Sequence, residues 1–512
     1  MAKRSGAILS RRRMLASASA AGALTLIGGI ARPYLSRAAD RPRITHGIQS
    51  GDVSTASAVV WSRADRAARM RVELSTTESF REIIRATTVD ALPQSDFTAK
   101  ALLEGLPAGQ DMFYRVAFED IATSLRGEAQ IGRFRTAPAD RRAVSFLWSG
   151  DTLGQGWGID EARGGLRTYA TMRRHQPDFF IHSGDNIYAD CPVAAEQKLP
   201  NGEIWRNIVT EEKSRIAATL ADYRGNYKYN LLDANLRTFN AQVPVFAQWD
   251  DHEVTDDWWP GMPARDGEGD ISDLVAYGCQ TFHEFMPTRD SVAERGRVYR
   301  KIAYGPLLDV FMLDERSYRG PNSDGKAIEG PATQFLGPAQ VAWLKRELVA
   351  SRATWKVIAA DLPLGLVSYD SVAQGDDGPP RGREIEIADL LSFIKHAGVR
   401  NIIWVTADQH YTAAHYFDPS RAAFQDFEPF WEFMSGPIHA GTGPVATLDK
   451  TFGPRAMFQK GCAPDQDNIA PCFDLQFFGH VAIDSATEVM TVTLRDVMDR
   501  ALWSVQLEPQ VA

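Results

Sequence analysis

Four cysteines among 512 residues are few, and no two of them stand in a Cys-x-x-Cys spacing. A structural zinc site built on such pairs is therefore excluded. Beyond the first 38 residues, no apolar run is long enough to cross a bilayer. An excess of positive charge is missing too: the formal net charge is −9, which disfavours nucleic acid as a stable partner. The chain has no internal repeat and no low-complexity tract, so solenoids and repeat arrays drop out. What is there is 44% hydrophobic and 24% charged, ordinary for a globular chain long enough for more than one domain.

Residues 1–38 read as a twin-arginine export signal. Ser10-Arg11-Arg12-Arg13-Met14-Leu15 precedes a small-residue apolar stretch from Ala16 to Ile30, and Ser36-Arg37-Ala38 offers a small-x-small cleavage site. The segment holds seven basic residues and no acid, so its removal takes the formal charge from −9 to −16. The expected location is periplasmic or secreted, by way of the twin-arginine machinery, with no stable membrane insertion of the mature protein. An exported chain keeps disulfides, and Cys462 with Cys472, flanking a loop with Pro and Asp, is the favoured pair.

Residues 44–138 carry short strand candidates at even spacing: Ala58–Trp61, Met70–Leu74, Phe113–Val116 and Phe134–Thr136. This texture predicts an antiparallel β-sandwich. From 143 to 508 the pattern alternates strands and helices, which predicts an α/β core. Helices are expected near 162–175, 212–222, 271–286, 338–350 and 384–397. Residues 365–383 have little periodicity and follow a strand, as a lid over an active site would.

Four apolar runs each lead into acids or histidines. Val144–Trp148 precedes Asp151, and Phe179–Ile181 precedes Asp185 and Tyr188. Val243–Phe246 precedes Asp251 and His252, and Ile402–Val405 precedes Asp408 and His410. Ligands in α/β folds gather at strand carboxyl ends. So many acids cannot share a small cleft without cations to neutralise them, which predicts at least two metal ions. A phenolate favours a hard trivalent ion such as Fe3+, so Asp151, Asp185, Tyr188 and His410 form the first expected set. Asp185 would bridge to a second ion held by Asp251 and Asp408, where oxygen donors favour Ca2+, Mg2+ or Mn2+. Paired cations clamp a phosphoryl group and activate a water, and His252 is placed to protonate the leaving oxygen or to steady the transition state.

Blander roles are expected nearby. His182, inside an apolar run, is expected in the core, and Asp250 as a helix cap. Arg316 reads either as a phosphate clamp or as an ion-pair partner of Asp314. Asp361 and His439 lie in segments that border the site.

The motifs Gly184-Asp185-x-x-Tyr188, Asp250-Asp251-His252-Glu253 and Ala407-Asp408-x-His410 resemble those of the PhoD-like alkaline phosphatases, within the calcineurin-like metallophosphoesterase class. His46–Asp52 with Val60–Arg63, Asp222-Tyr223-Arg224, Met286-Pro287 and Asp314–Arg319 are similar to further family stretches. The resemblance implies an N-terminal β domain and a four-layer α/β/β/α core. It implies phosphomonoesterase and phosphodiesterase activity outside the cytoplasm, in the alkaline range, with one ferric ion accompanied by calcium. Tyr188, Asp185 and His410 match the family's iron ligands, and Asp251 and Asp408 its calcium side. One departure stands out: Ser149-Gly150-Asp151 occupies a step where family members often have Ser-Cys-Gln. Asp151 would replace the cysteine thiolate, as in the purple acid phosphatases. Three alternatives remain at this point: a phospholipase-type phosphodiesterase, a non-catalytic metal-containing envelope protein, and a covalent phosphatase using Thr152.

Overall fold

The computed structural model describes residues 41–264, 269–292, 294–322 and 329–510; the export signal expected at 1–38 lies outside the described residues. Two large sheets carry the architecture. The first has nine strands, in the order Ala501–Leu507, Met490–Asp496, Phe477–Ile483, Val144–Ser149, Phe179–Ser183, Val245–Gln248, Ile44–Gly51, Ser57–Ala64 and Thr98–Glu104. Its centre is parallel, from Val144–Ser149 through Phe179–Ser183 and Val245–Gln248 to Ile44–Gly51. The second has seven strands, with Leu308–Met312, Trp355–Ala359, Ile402–Thr406 and Phe430–Met434 parallel at its centre. Apart from Ile44–Gly51, these central strands are largely apolar because both faces are covered.

The inner faces of the sheets close on one core, in which Phe146, Trp148, Phe179 and Phe246 meet Val310, Val357, Val405 and Phe433. Helices Arg167–Arg174, Leu220–Asn230, Ala234–Gln242 and Ile271–Phe285 cover the outer face of the first sheet. Pro338–Ala350 and Glu384–His396 cover the second. The result is four layers, α/β/β/α, as the family resemblance implies. Five expected helices are found in whole or in part, but the one placed at 212–222 is shifted. Only a short 3-10 turn, Glu212–Ser214, forms there. The helix starts at Leu220 because Thr219 caps it, its hydroxyl accepting from the Asp222 amide while Asp222 returns the bond. Ala234–Gln242 was not anticipated; Asp233 caps it by accepting from the Leu236 amide at 2.9 Å.

Strands from 44–138 divide between two sheets. Ile44–Gly51, Ser57–Ala64 and Thr98–Glu104 extend the nine-stranded sheet, and the other four form a separate antiparallel sheet over the same core. Residues 44–138 and 143–508 are thus joined across the expected boundary, within one sheet, by a parallel pairing of Gly51 with Val245. The disulfide expectation is corrected: Cys462 and Cys472 are free thiols. Cys472 packs beside Trp157 and Trp205, while Cys462 Sγ lies 3.2 Å from the Gln466 carbonyl, so each thiol has its own environment. Among the described residues no helix is long and apolar enough to cross a membrane.

Gly479 shows how tightly the layers beside the site are packed. A Cβ there would lie 2.0 Å from the Trp148 ring. Gly479→Ala should cost about 1–3 kcal/mol through overpacking, read as a lower urea midpoint with an unchanged slope.

Candidate metal centre

The predicted residues leave their strands at one end of the two-sheet sandwich. Asp151, Asp185 and Asp251 follow neighbouring parallel strands of the first sheet, and Asp408 follows a central strand of the second. The turns that present them are strained. Asp151 (φ 66°), Asp185 (51°), Asp408 (64°) and His410 (52°) all sit in the left-handed region, which side chains rarely adopt. Each costs about 1–3 kcal/mol and persists only because its surroundings hold it.

Three donor groups result, each with ligand atoms within 4.8 Å of one another: Asp151, Asp185 and His410; Asp185, Asp251 and His252; and Asp251, Asp257 and Asp370. Asp185 belongs to the first and second, Asp251 to the second and third. Tyr188 joins the first group, its hydroxyl 2.8 Å from His410 Nε2. His410 Nδ1 donates to the Gly441 carbonyl at 2.7 Å, and a carbonyl only accepts. The proton is thereby fixed on Nδ1 and the Nε2 lone pair faces Tyr188 and Asp151. Asp408 faces the third group, where Asp370, Asp250 and Asp251 repel it.

The charges test whether cations suit this site. Burial holds Asp185 well above the usual carboxylate range, and Asp251, Asp250 and Glu253 push further. Asp408 is raised in the same way, by burial and then by Asp370. Burial, with Asp185 and Asp151, also raises the Tyr188 phenol. Asp151 Oδ2 is buried with no hydrogen-bond partner. Bound cations reverse each of these pushes and satisfy the orphaned oxygen, so the donor set fits metal ions. It does not fit a thiolate at position 150: a Cβ on Gly150 would lie 2.8 Å from Ala407 Cβ.

His252 stands at the middle group. Its Nδ1 lies 2.7 Å from Asp190 Oδ1, and its ring stacks on Tyr188 with centroids 4.2 Å apart. Burial alone would lower its pKa, but Asp190, Asp251 and Asp185 outweigh that and raise it well above the ordinary value. Asp190 was missed by the sequence reasoning, as were Asp257 and Asp370; their short-range context is that of ordinary loop acids. Glu253 is buried and ties the turns together, accepting from the Asn186 amide at 2.5 Å and the Asp250 amide at 2.9 Å.

Several expectations are corrected. Arg316 does not pair with Asp314 through its guanidinium, and it is not open to a phosphate. It is fully buried, with Nε 2.6 Å from Asp250 and an Nη 2.6 Å from Asp370. Asp250 is therefore an ion-pair partner and caps no helix. The 365–383 segment does reach the centre, through Asp370, but two arginines outside it tie it down and its own Arg383 braces it. Arg316 takes the Asp370 carboxylate, Arg319 the Asp370 carbonyl, and Arg383 the Ser371 carbonyl. Asp361 lies beneath the site, 3.7 Å from Arg316. His439 turns away and bonds the Gly158 carbonyl at 3.2 Å. His182 is a core residue, as expected, with Nε2 2.9 Å from Thr152 Oγ1. Thr152 is also 3.0 Å from the Tyr169 hydroxyl and is buried, so it cannot serve as a nucleophile.

Removing Arg316 should be costly, because Asp250 and Asp370 would stay buried without a partner. Arg316→Met is expected to lose about 3–5 kcal/mol, measured by equilibrium denaturation.

Comparison with known proteins agrees with this geometry. The chain matches the PhoD-like phosphatase family over residues 146–494 and the PhoD-like phosphatase N-terminal domain over 29–138. It is 27% identical over 394 residues to alkaline phosphatase D of Bacillus subtilis strain 168. That match covers 72% of this chain and 64% of the relative, just under two thirds of the relative's length. A solved structure described as PhoD superposes with a TM-score of 0.69 at 22% identity, covering 91% of this chain and 89% of that one. With 349 of its 512 residues inside the family match (146–494), this chain belongs to the PhoD-like phosphatases.

Proposed function

We propose that the protein is an exported phosphoesterase acting on phosphate monoesters or diesters. The observation that carries this reading is the run of three donor groups joined through Asp185 and Asp251 at one end of the two sheets. In this reading residues 1–38 are the export signal, 44–138 a β domain and 143–508 the catalytic domain.

Asp151, Asp185, Tyr188 and His410 hold a ferric ion. Asp185, Asp251 and Asp408 hold calcium, with Mg2+ or Mn2+ as substitutes, and Asp257 and Asp370 add oxygen donors beside them. Such paired cations offset the charge of a phosphoryl group and lower the pKa of a bound water. The protein's own contribution is proton delivery and positioning. Asp190 holds Nδ1 of His252, and Tyr188 holds its ring plane, so the Nε2 proton has a fixed direction. A water gives one proton to solvent as its oxygen bonds to phosphorus and the bond to the leaving alkoxide breaks; the alkoxide takes the His252 Nε2 proton, which solvent then restores. No side chain forms a covalent intermediate.

Hydrolysis of a chromogenic monoester and diester, with and without chelator, tests the activity. Turnover that chelation abolishes is expected. Turnover confined to phospholipid head groups would favour the phospholipase reading, and none at all in metal-replete protein would favour the envelope-binding one. Elemental analysis of protein taken from its export route should show iron with calcium; stoichiometric zinc without iron would contradict the role of Tyr188. Asp185→Asn should abolish turnover and release metal. Asp190→Asn should lower kcat about 100-fold for alkyl phosphates, where the leaving oxygen needs a proton, and far less for nitrophenyl phosphate. An equal loss on both substrates would refute proton delivery by His252.

A further inference from the structure

Beside the carboxylate-rich centre lies a donor cluster of different chemistry. Asp190, Cys191 and His252 present a carboxylate oxygen, a thiol sulfur and an imidazole nitrogen within 4.8 Å of one another. All three residues are partly open to solvent. The segments that carry them are fixed in advance. The Ala189 amide donates to the His252 carbonyl at 2.9 Å, and the Ala217 amide to the Ala189 carbonyl at 2.8 Å. The buried Lys213 ammonium donates to the Tyr188 carbonyl at 2.6 Å, one turn of chain away from Cys191. Asp190 is held by the Asp256 amide at 2.7 Å as well as by His252. The sulfur is a free thiol, not part of a disulfide.

The proposed catalytic groups are oxygen-rich, with one imidazole and one phenol, and so select hard ions. Sulfur, imidazole and a single carboxylate select a borderline or soft one. A tetrahedral ion with three protein ligands and one water is the usual arrangement for such a set. We propose that Asp190, Cys191 and His252 form an inhibitory site for Zn2+ or Cd2+, separate from the catalytic ions. Binding forms bonds from the metal to sulfur, to the Asp190 carboxylate and to an imidazole nitrogen, as the thiol proton and the proton on that nitrogen pass to solvent. There is no change of oxidation state. An ion held there occupies the side chain assigned to the leaving group, so it competes with turnover. The inhibitory half rests on the role given to His252 above; the binding half does not.

The test adds Cd2+ to the metal-loaded enzyme and follows two signals. One is the ultraviolet sulfur-to-cadmium charge-transfer band, which needs no turnover. The other is hydrolysis of a chromogenic phosphate ester. The wild type should show the band and lose activity together. Cys191→Ala should lose the band and keep its uninhibited kcat/KM. Its inhibition constant should rise more than about tenfold, the lower end of what losing even an outer-shell partner costs a metal site. Cys191→Ser, close to isosteric, replaces the alanine variant if that one is poorly folded. A band that survives in both variants would place the ion on another thiol and overturn the site. Unchanged inhibition without Cys191 would overturn its effect on turnover. If the wild type hydrolyses no ester, the proposed activity fails, while the band alone still decides whether the site exists.

Discussion

Mutual repulsion among buried carboxylates is the constraint on which this structure turns. Asp185, Asp251, Asp257, Asp370 and Asp408 crowd one poorly hydrated cleft, and water cannot screen them there. The fold spends much of its rigidity keeping them apart by only a few ångströms. Left-handed turns at four of the donor positions aim side chains where an ordinary strand exit would not. Glu253 ties the Asp185 turn to the backbone at Asp250. The strain is borne by strands buried on both faces, which are the parts of the chain least able to move.

Arg316 answers part of that repulsion from within the protein. Its guanidinium lies against Asp250 and Asp370, with Asp251 3.7 Å away, and so offsets part of the charge that cations would otherwise have to balance. The same arginine, with Arg319, fixes the 365–383 segment against the centre. One residue thus joins electrostatic balance to the placement of a loop.

Much of this was legible in the sequence, for a definite reason. A strand buried on both faces has to be apolar along its length, so the residue that follows it stands out, and Asp151, Asp185, Asp251 and Asp408 were all visible in that way. Helices with clear apolar periodicity, such as Ile271–Phe285 and Pro338–Ala350, were found nearly to the residue. Leu220–Asn230 was displaced because its start is set by a capping box rather than by periodicity. Asp190, Asp257 and Asp370 were invisible because nothing local separates a loop acid that meets a distant histidine or arginine from one that meets water. Arg316 was read with the wrong partner for the same reason: Asp314 is near in sequence, but Asp250 and Asp370 are near in space.

The joining of Gly51 to Val245 has a wider meaning for how such a chain can be divided. A fragment that began after residue 138 would leave Val245–Gln248 as a raw parallel border, its amides and carbonyls open to any passing strand. Excision of the amino-terminal strands would thus turn an interior element into an adhesive margin, directly beneath the turn that carries Asp251. What looks like an appended module works as a hem, finishing the fabric on which the chemistry is laid.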